Sequence, residues 1–239
     1  MQAVLLRVGL DTGVGQTNGP LFKNGSFEFV PIPDQFKKKG ANCQTYGNTA
    51  GRYGRKLLEY FPERLHEKCR DISIHNDPEF ETFTYGDPTP PKASLRRLRK
   101  GDLLIFYAGL HGWNFESAPA LYIVGYFEVE KAGKAADYSL AELKRDFRRN
   151  FHVRHKSVFD DQRNRLVLVK GNEKSRLLQK ARLMSAMGTD RNGRPLKVLS
   201  AEMQRIFGDF GGHLSFQRSP PRWVSPEFVA KAAQFVRSL

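Results

Sequence analysis

Cysteine is scarce: Cys43 and Cys69 are the only two in 239 residues. At most one bridge can form, so a disulfide framework is excluded and a reduced, cytoplasmic chain is expected. No uninterrupted apolar run approaches the ~18 residues of a membrane span. The opening Met1–Arg7 stretch is apolar for only a few residues and has no small-residue cleavage site, so no signal peptide is expected. Internal repeats and abrupt shifts of composition are missing too, and one domain over residues 1–239 is expected. Acidic residues are outnumbered, 25 Asp and Glu against 39 Lys and Arg, which leaves a formal charge of +14. Such an excess serves attraction to polyanions: nucleic acid, phosphorylated ligands or an anionic membrane surface. No strongly apolar helical face accompanies the charges, which sets the membrane aside.

What is present is a globular composition, 40% hydrophobic, enough for one sizeable core or two small ones. Residues 3–10 form an apolar run that ends at Asp11 and a Gly-rich stretch, and they read as a buried strand feeding a loop. Ser26 to Pro33 alternates roughly with period two at Phe27, Phe29 and Ile32. Its prolines put its end on an edge or in a loop. Arg52 to Tyr60 carries a helical pattern limited by Pro62. Thr82 and Thr84 continue an alternation from Phe80 that Phe83 breaks. Leu95 and Leu98 sit three apart among basic residues, as in a short helical turn. Two strands stand out, 103–110, near-continuously apolar from Leu103 to Ala108, and 120–130; the two could pair as a hairpin. Ser139 and Glu142 make a capping box for a helix running to about Arg149. Residues 165–171 read as another strand, and 172–188 as either a helix start or a turn into a further strand. Helices follow from Ser200 to Gly208 and from Ser225, with Pro226 in its first turn, to the end. The expected class is α/β in the mixed α+β sense. A central mixed sheet carries peripheral helices, and a curled or barrel-like sheet is the alternative.

Asp11 lies at the carboxyl end of the first strand, where open α/β sheets bind ligands, before Gly13, Gly15 and Gly19. The third glycine of the dinucleotide fingerprint is missing. Asp11-Thr12-Gly13 matches the aspartic-protease triplet, but no second triplet supplies the facing carboxylate. A structural turn and a ligand loop both remain open. Lys170 to Arg176 has the closing Lys-Ser of a phosphate loop without the spaced first glycine. A helix start there could hold one phosphate through free N–H groups, with Lys170, Lys174 and Arg176 adding charge. Residues 144–156 interleave Arg148, Arg149, Arg154, His152 and His155 with Phe147 and Phe151. Basic groups neutralise phosphates, and aromatic faces stack on unpaired bases. The competing reading buries both phenylalanines and leaves the charges solvated. Arg96 and Arg97 belong to a second basic cluster. His111 and Trp113, in the loop after the first confident strand, join Tyr107 and Asn18 as candidates for a base pocket, which needs stacking plus edge hydrogen bonds. Asp11, His111 and His152 are the candidate catalytic groups, a carboxylate base or ligand-positioner and two proton carriers. No metal site is expected: His66 and Cys69 could share a helix face at i, i+3, but His75 and Cys43 are near in sequence only and no Cys-x-x-Cys exists. Cys43, in a polar Gly-rich loop, is accessible enough to be considered as a nucleophile. No cofactor is assigned.

Several stretches together resemble one family. They are residues 5–13, 18–34 (NGPLFKNGSFEFVPIPD), 77–87 (DPEFETFTYGD), 100–110 (KGDLLIFYAGL), 120–130 (ALYIVGYFEVE) and 166–181 (LVLVKGNEKSRLLQKA). They are similar to the third type of nucleotide-modification-associated domain, a prokaryotic and viral family, over nearly the whole chain. The resemblance implies association with systems that make or handle modified DNA bases, and it assigns no reaction and no catalytic residue. The paired strands 101–107 and 123–129 also resemble, in style, those of PUA- and EVE-like barrels, which bind RNA or flipped modified bases. The resulting expectation is a protein of DNA base modification that binds DNA, in preference to RNA, or a nucleotide. Arg96, Arg97, Arg148, Arg149 and Arg154 would lie on the backbone and a base pocket nearby. The alternatives are a non-catalytic reader of modified bases and a nucleotide-sugar-dependent transferase. Whether it is an enzyme, and its oligomeric state, are left open.

Overall fold

The computed structural model describes residues 1–12, 17–34, 43–216 and 220–239. Twelve strands are described: β1 (Ala3–Arg7), β2 (Gly19–Leu21), β3 (Ile32–Pro33), β4 (Ile74–His75), β5 (Thr84–Asp87), β6 (Leu103–Gly112), β7 (Ala120–Lys134), β8 (Val167–Gly171), β9 (Arg176–Leu183), β10 (Ser185–Thr189), β11 (Pro195–Leu199) and β12 (Arg222–Trp223). The α-helices are α1 (His66–Cys69), α2 (Leu140–Asp146), α3 (Phe151–Arg154), α4 (Lys156–Gln162), α5 (Ala201–Phe207) and α6 (Pro226–Arg237). Tight 3-10 turns fill 10–12, 57–60, 63–65, 90–97 and 135–137.

The fold is α+β, built on an eight-stranded mixed sheet in the order β12-β1-β6-β7-β8-β5, with β2 also on β6 and β9 also on β7. Near-continuous apolarity in β1 and β6 follows from their place: they pair parallel in the middle, Ala3 on Leu103 through Arg7 on Tyr107, and both faces are covered. The hairpin expected of the two confident strands is present, Leu103 opposite Glu128 through Leu110 opposite Ala120. Its second strand runs four residues further than expected. Up to Glu128, β7 faces β6, and from Val129 to Lys134 it pairs with β8, with the register slipping between Val129 and Lys131. A slip of this kind bends a strand. The described strands do not close into a barrel.

Side chains fill the sheet in interlocking edges. Phe106 and Phe127 lie 4.7 Å apart at 79°, with Phe80 edge-on to both at 5.6 and 5.5 Å. Helix α6 buries Val229, Ala232, Ala233 and Val236, the i, i+3, i+4, i+7 stripe that a helix on a sheet must present. A second cluster joins α2 and α4 to the sheet edge through Leu143, Phe147, Phe159, Leu166 and Leu168. A third gathers Tyr46, Leu57, Leu58, Tyr60, Phe61 and Cys69.

Several expected elements differ. The helix from Ser139 has its capping box, Glu142 N–H on Ser139 Oγ at 3.2 Å, but ends at Asp146. It stops because Asn150 starts a new helix, its Oδ1 accepting the His152 N–H at 3.1 Å. Ser225 occupies the N-cap of α6 without making a side-chain cap bond. Of the helix read over 52–60, only a 3-10 turn at 57–60 forms. Residues 26–33 contribute two isolated bridges, Phe27 to Leu21 and Ser26 to Lys180, and the two-residue β3. The helix-start reading of Lys174 to Arg176 is overturned: Arg176 opens β9, opposite Tyr126. Among the described residues, no helix is long and apolar enough to cross a membrane.

Candidate functional site

Phe83, the residue that breaks the alternation, takes a left-handed backbone at φ 54. It lies in a tight turn closed by two backbone bonds between Glu79 and Thr84, at 2.8 and 2.9 Å, and Glu79 accepts the Thr82 N–H with both carboxylate oxygens at 3.0 Å. That turn folds Asp77, the first residue of the cis Asp77-Pro78 peptide, back onto β5. There the Gly86 N–H faces both Asp77 oxygens at 3.1 Å. His75, on β4, and His152, on α3, converge on the same carboxylate. Their Nε2 atoms stand 3.8 and 3.6 Å from Asp77 Oδ2. Gln162, at the end of α4, accepts the His152 Nδ1–H at 2.7 Å, which directs Nε2 toward Asp77. The Phe151 ring covers His75, with centroids 3.8 Å apart.

The cluster is deeply placed, with Asp77 6% and His152 2% exposed. Burial pushes the Asp77 carboxyl up to about 7, against the opposing pull of His152 and the Gly86 N–H. For His152, burial works against the charged ring, but Asp77 and then Gln162 outweigh it and the net direction is up. Burial, with the positive neighbours His152, Arg154 and His155, holds His75 well below its usual value. His75 Nε2 is buried and makes no hydrogen bond to the described residues. Among the described residues, this is the one group of three His, Cys, Asp or Glu side chains whose ligand atoms lie within 4.8 Å of one another.

Basic side chains flank this cluster. Arg149 pairs with Glu81, and Lys170, on β8, donates to the Thr82 carbonyl, so both attach to the turn that carries Asp77. Arg154 lies 5.7 Å over the Phe151 ring. Arg148, Arg149 and Arg154 are exposed. Of the sequence candidates, His152, Arg149, Arg154 and Lys170 are therefore brought together. Phe147 and Phe151, at 0% and 2% exposure, are core residues and offer no face to a base.

The other candidates fall elsewhere. Arg97 lies 4.7 Å over Trp223 and lines, with Met1, Gln2 and Val224, a groove of about 330 Å³, while Arg96 donates to the Ala93 carbonyl at 2.9 Å. Arg176 stands 5.7 Å over Tyr126, and Lys174 Nζ is 3.8 Å from Glu128. The N–H groups of Lys174 and Ser175 are already bonded to Asn172, which removes the anion cradle a helix start would have offered.

Asp11 and Asn18 do meet, at Gly109, where an added Cβ would overlap the Asp11 carboxylate and lie 2.6 Å from Asn18 Oδ1. Strand alternation puts Tyr107, Gly109 and His111 on one face of β6. Arg7 grips Asp11 Oδ2, and Oδ1 is buried with no hydrogen bond among the described residues. Burial lowers the Lys197 ammonium, and Asp11 offsets this in part. Tyr107 is fully buried and donates to the Phe216 carbonyl at 3.2 Å, whereas His111 is exposed. Trp113 belongs to another group, with Phe22 and Tyr60 each 5.5 Å away and the Arg55 guanidinium 4.9 Å above its ring. The glycines at 13 and 15 and the Lys37–Lys39 run lie outside the described residues. Cys43 is free and partly exposed, Cys69 free and buried.

Sequence reasoning missed His75 as a partner of Asp77, and missed Gln162, Arg7 and Lys197. The His75-Asn76-Asp77 spacing was a visible signal, but nothing in the sequence ties it to a histidine on α3. A family model matches the chain over residues 2–238. No curated protein and no solved structure matches it.

Proposed function

The chain belongs to the nucleotide modification associated domain 3 family, whose model covers residues 2–238, and on that premise we propose that it acts on DNA carrying, or about to carry, a modified base. A family tied to nucleotide modification involves nucleic acid or nucleotides; the finer reading concerns how this chain engages them. The observation that carries it is that Arg149 and Lys170 attach to the turn that follows Asp77, while Arg154 lies over Phe151, next to His152. Phosphates would exchange with Glu81 on Arg149 at little cost, since an exposed ion pair in water contributes under about 1 kcal/mol. Arg148, adjacent and exposed, extends the cationic surface. Arg96, Arg97, Lys174 and Arg176 are secondary backbone contacts in this reading.

His152 is the proton carrier the reading favours, because its neighbours hold its ring above the usual value and Gln162 fixes its orientation. Asp11 and Asn18, with His111 on the same side of β6, form a second candidate pocket. The test is mass analysis of nucleosides from DNA exposed to wild-type protein and to H152Q, D11A and H111A. A base-modifying enzyme predicts a changed nucleoside in the wild type that falls at least about 100-fold in H152Q, the usual contribution of a positioned acid or base. Tight, modification-dependent binding with no covalent change assigns the chain as a reader instead. Unchanged product in all three variants overturns the catalytic assignment.

A further inference from the structure

We propose that His75, Asp77 and His152 bind one divalent transition-metal ion and leave a coordination position open. This inference does not rest on the nucleic-acid reading, and an ion held on His152 Nε2 would take the place of the proton-carrier role given to that ring there.

Two imidazole nitrogens and one carboxylate oxygen suit zinc, iron or nickel, and three protein ligands with a free fourth position is the pattern of a catalytic rather than a structural site. Donors about 2.1 Å from a tetrahedral metal lie about 3.4 Å from one another. Asp77 Oδ2 is 3.8 Å from His75 Nε2 and 3.6 Å from His152 Nε2, and all three donor atoms fit within 4.8 Å. Shifts of a few tenths of an ångström close the two carboxylate–imidazole gaps, and one of at most somewhat more than an ångström closes the imidazole pair. Both histidine–aspartate separations are longer than an ordinary hydrogen bond, at ion-pair distance.

Three further features fit a cation. His75 Nε2 is buried, makes no hydrogen bond among the described residues, and stands 3.8 Å from the carboxylate. Gln162 takes the His152 Nδ1–H, the outer contact that metal-ligating histidines make. The carboxylate is held from behind by Gly86 N–H, and Gly86 leaves no room for a side chain: a Cβ there would lie 2.9 Å from His152 Cδ2. Arg154 is the nearby permanent cation, and the Asp87 carboxylate acts electrically on both Asp77 and His152.

The experiment is titration of untagged, metal-stripped protein with Co²⁺ and Zn²⁺, followed by calorimetry and by the visible spectrum of the cobalt form. It is repeated on H75A, H152A and Q162L. The wild type should take up one equivalent and show ligand-field bands. Q162L should weaken binding about 10–100-fold, and H75A and H152A by at least that much. H75A, whose ring is the most exposed of the three at 12%, and Q162L decide the matter where H152A loses its fold. No saturable uptake by the wild type overturns the proposal, as does uptake with the same affinity and spectrum in H75A and Q162L.

Discussion

Gly86 sits where a side chain has no space: a Cβ would lie 2.9 Å from both Asn150 Oδ1 and His152 Cδ2, and 3.2 Å from Leu168 Cδ2. Replacing it with alanine should push α3 off β5 and cost about 1–3 kcal/mol, read as a lower urea midpoint at unchanged slope. A loss under about 0.5 kcal/mol would mean that α3 is looser against the sheet than described. Tyr107→Phe removes the hydroxyl bonded to the Phe216 carbonyl and should cost about 1 kcal/mol of stability while leaving DNA affinity intact. A fall in affinity without a fall in stability would instead place Tyr107 against the ligand. At this scale the sequence told only part of the site. His152 and its basic neighbours stand in one stretch and were legible. The Asp77 partnership was not, because it depends on a turn at Phe83 whose left-handed backbone no apolar pattern announces.

Among elements, β7 and α2 are tied by Lys131 Nζ to Asp146 Oδ2 at 2.8 Å, with Arg145 on the same carboxylate at 2.9 Å. These bonds, Arg145's first, hold the Asp146 carboxyl down to about 2. A depressed carboxyl stabilises the fold above its unfolded value, near 3.9, and that stability is lost as pH falls toward about 2. Asp146→Asn should therefore lower stability by about 1 kcal/mol at neutral pH, with the deficit shrinking as pH drops below about 4. Thermal unfolding of both proteins across that range checks it, and a deficit independent of pH would contradict it. The same scale shows why some elements were read correctly and others not. Capping chemistry is local, so Ser139 with Glu142 announced α2. The Leu-Leu-Gln-Lys-Ala composition of β9 favours a helix, and pairing with β7 overrides it. The length of β7 was hidden for a related reason: its last residues, Lys131-Ala132-Gly133-Lys134, lack the apolar run of the rest and pair with β8 alone.

For the whole molecule, the charge of +14 is not one uniform coat. Some cations are spent on packing and pairing, such as Arg97 over Trp223 and Arg237 on Glu128 at 2.7 Å. Others stand exposed around the His75–Asp77–His152 cluster, and the reading of function depends on this division. The central parallel strands and their hairpin were legible, because burial on both faces writes itself as unbroken apolar sequence. How separate stretches meet around Asp77 was not, because long-range contacts leave no local period. The most direct test is the salt dependence of binding to duplex and single-stranded DNA, measured by fluorescence anisotropy on the wild type and on R148A/R149A/R154A. The wild type should lose affinity steeply with salt, and the triple variant should bind more weakly with a slope shallower by up to about 2.7, or about 0.9 per phosphate contact removed. A wild-type affinity indifferent to salt, or a slope unchanged in the triple variant, would contradict the account.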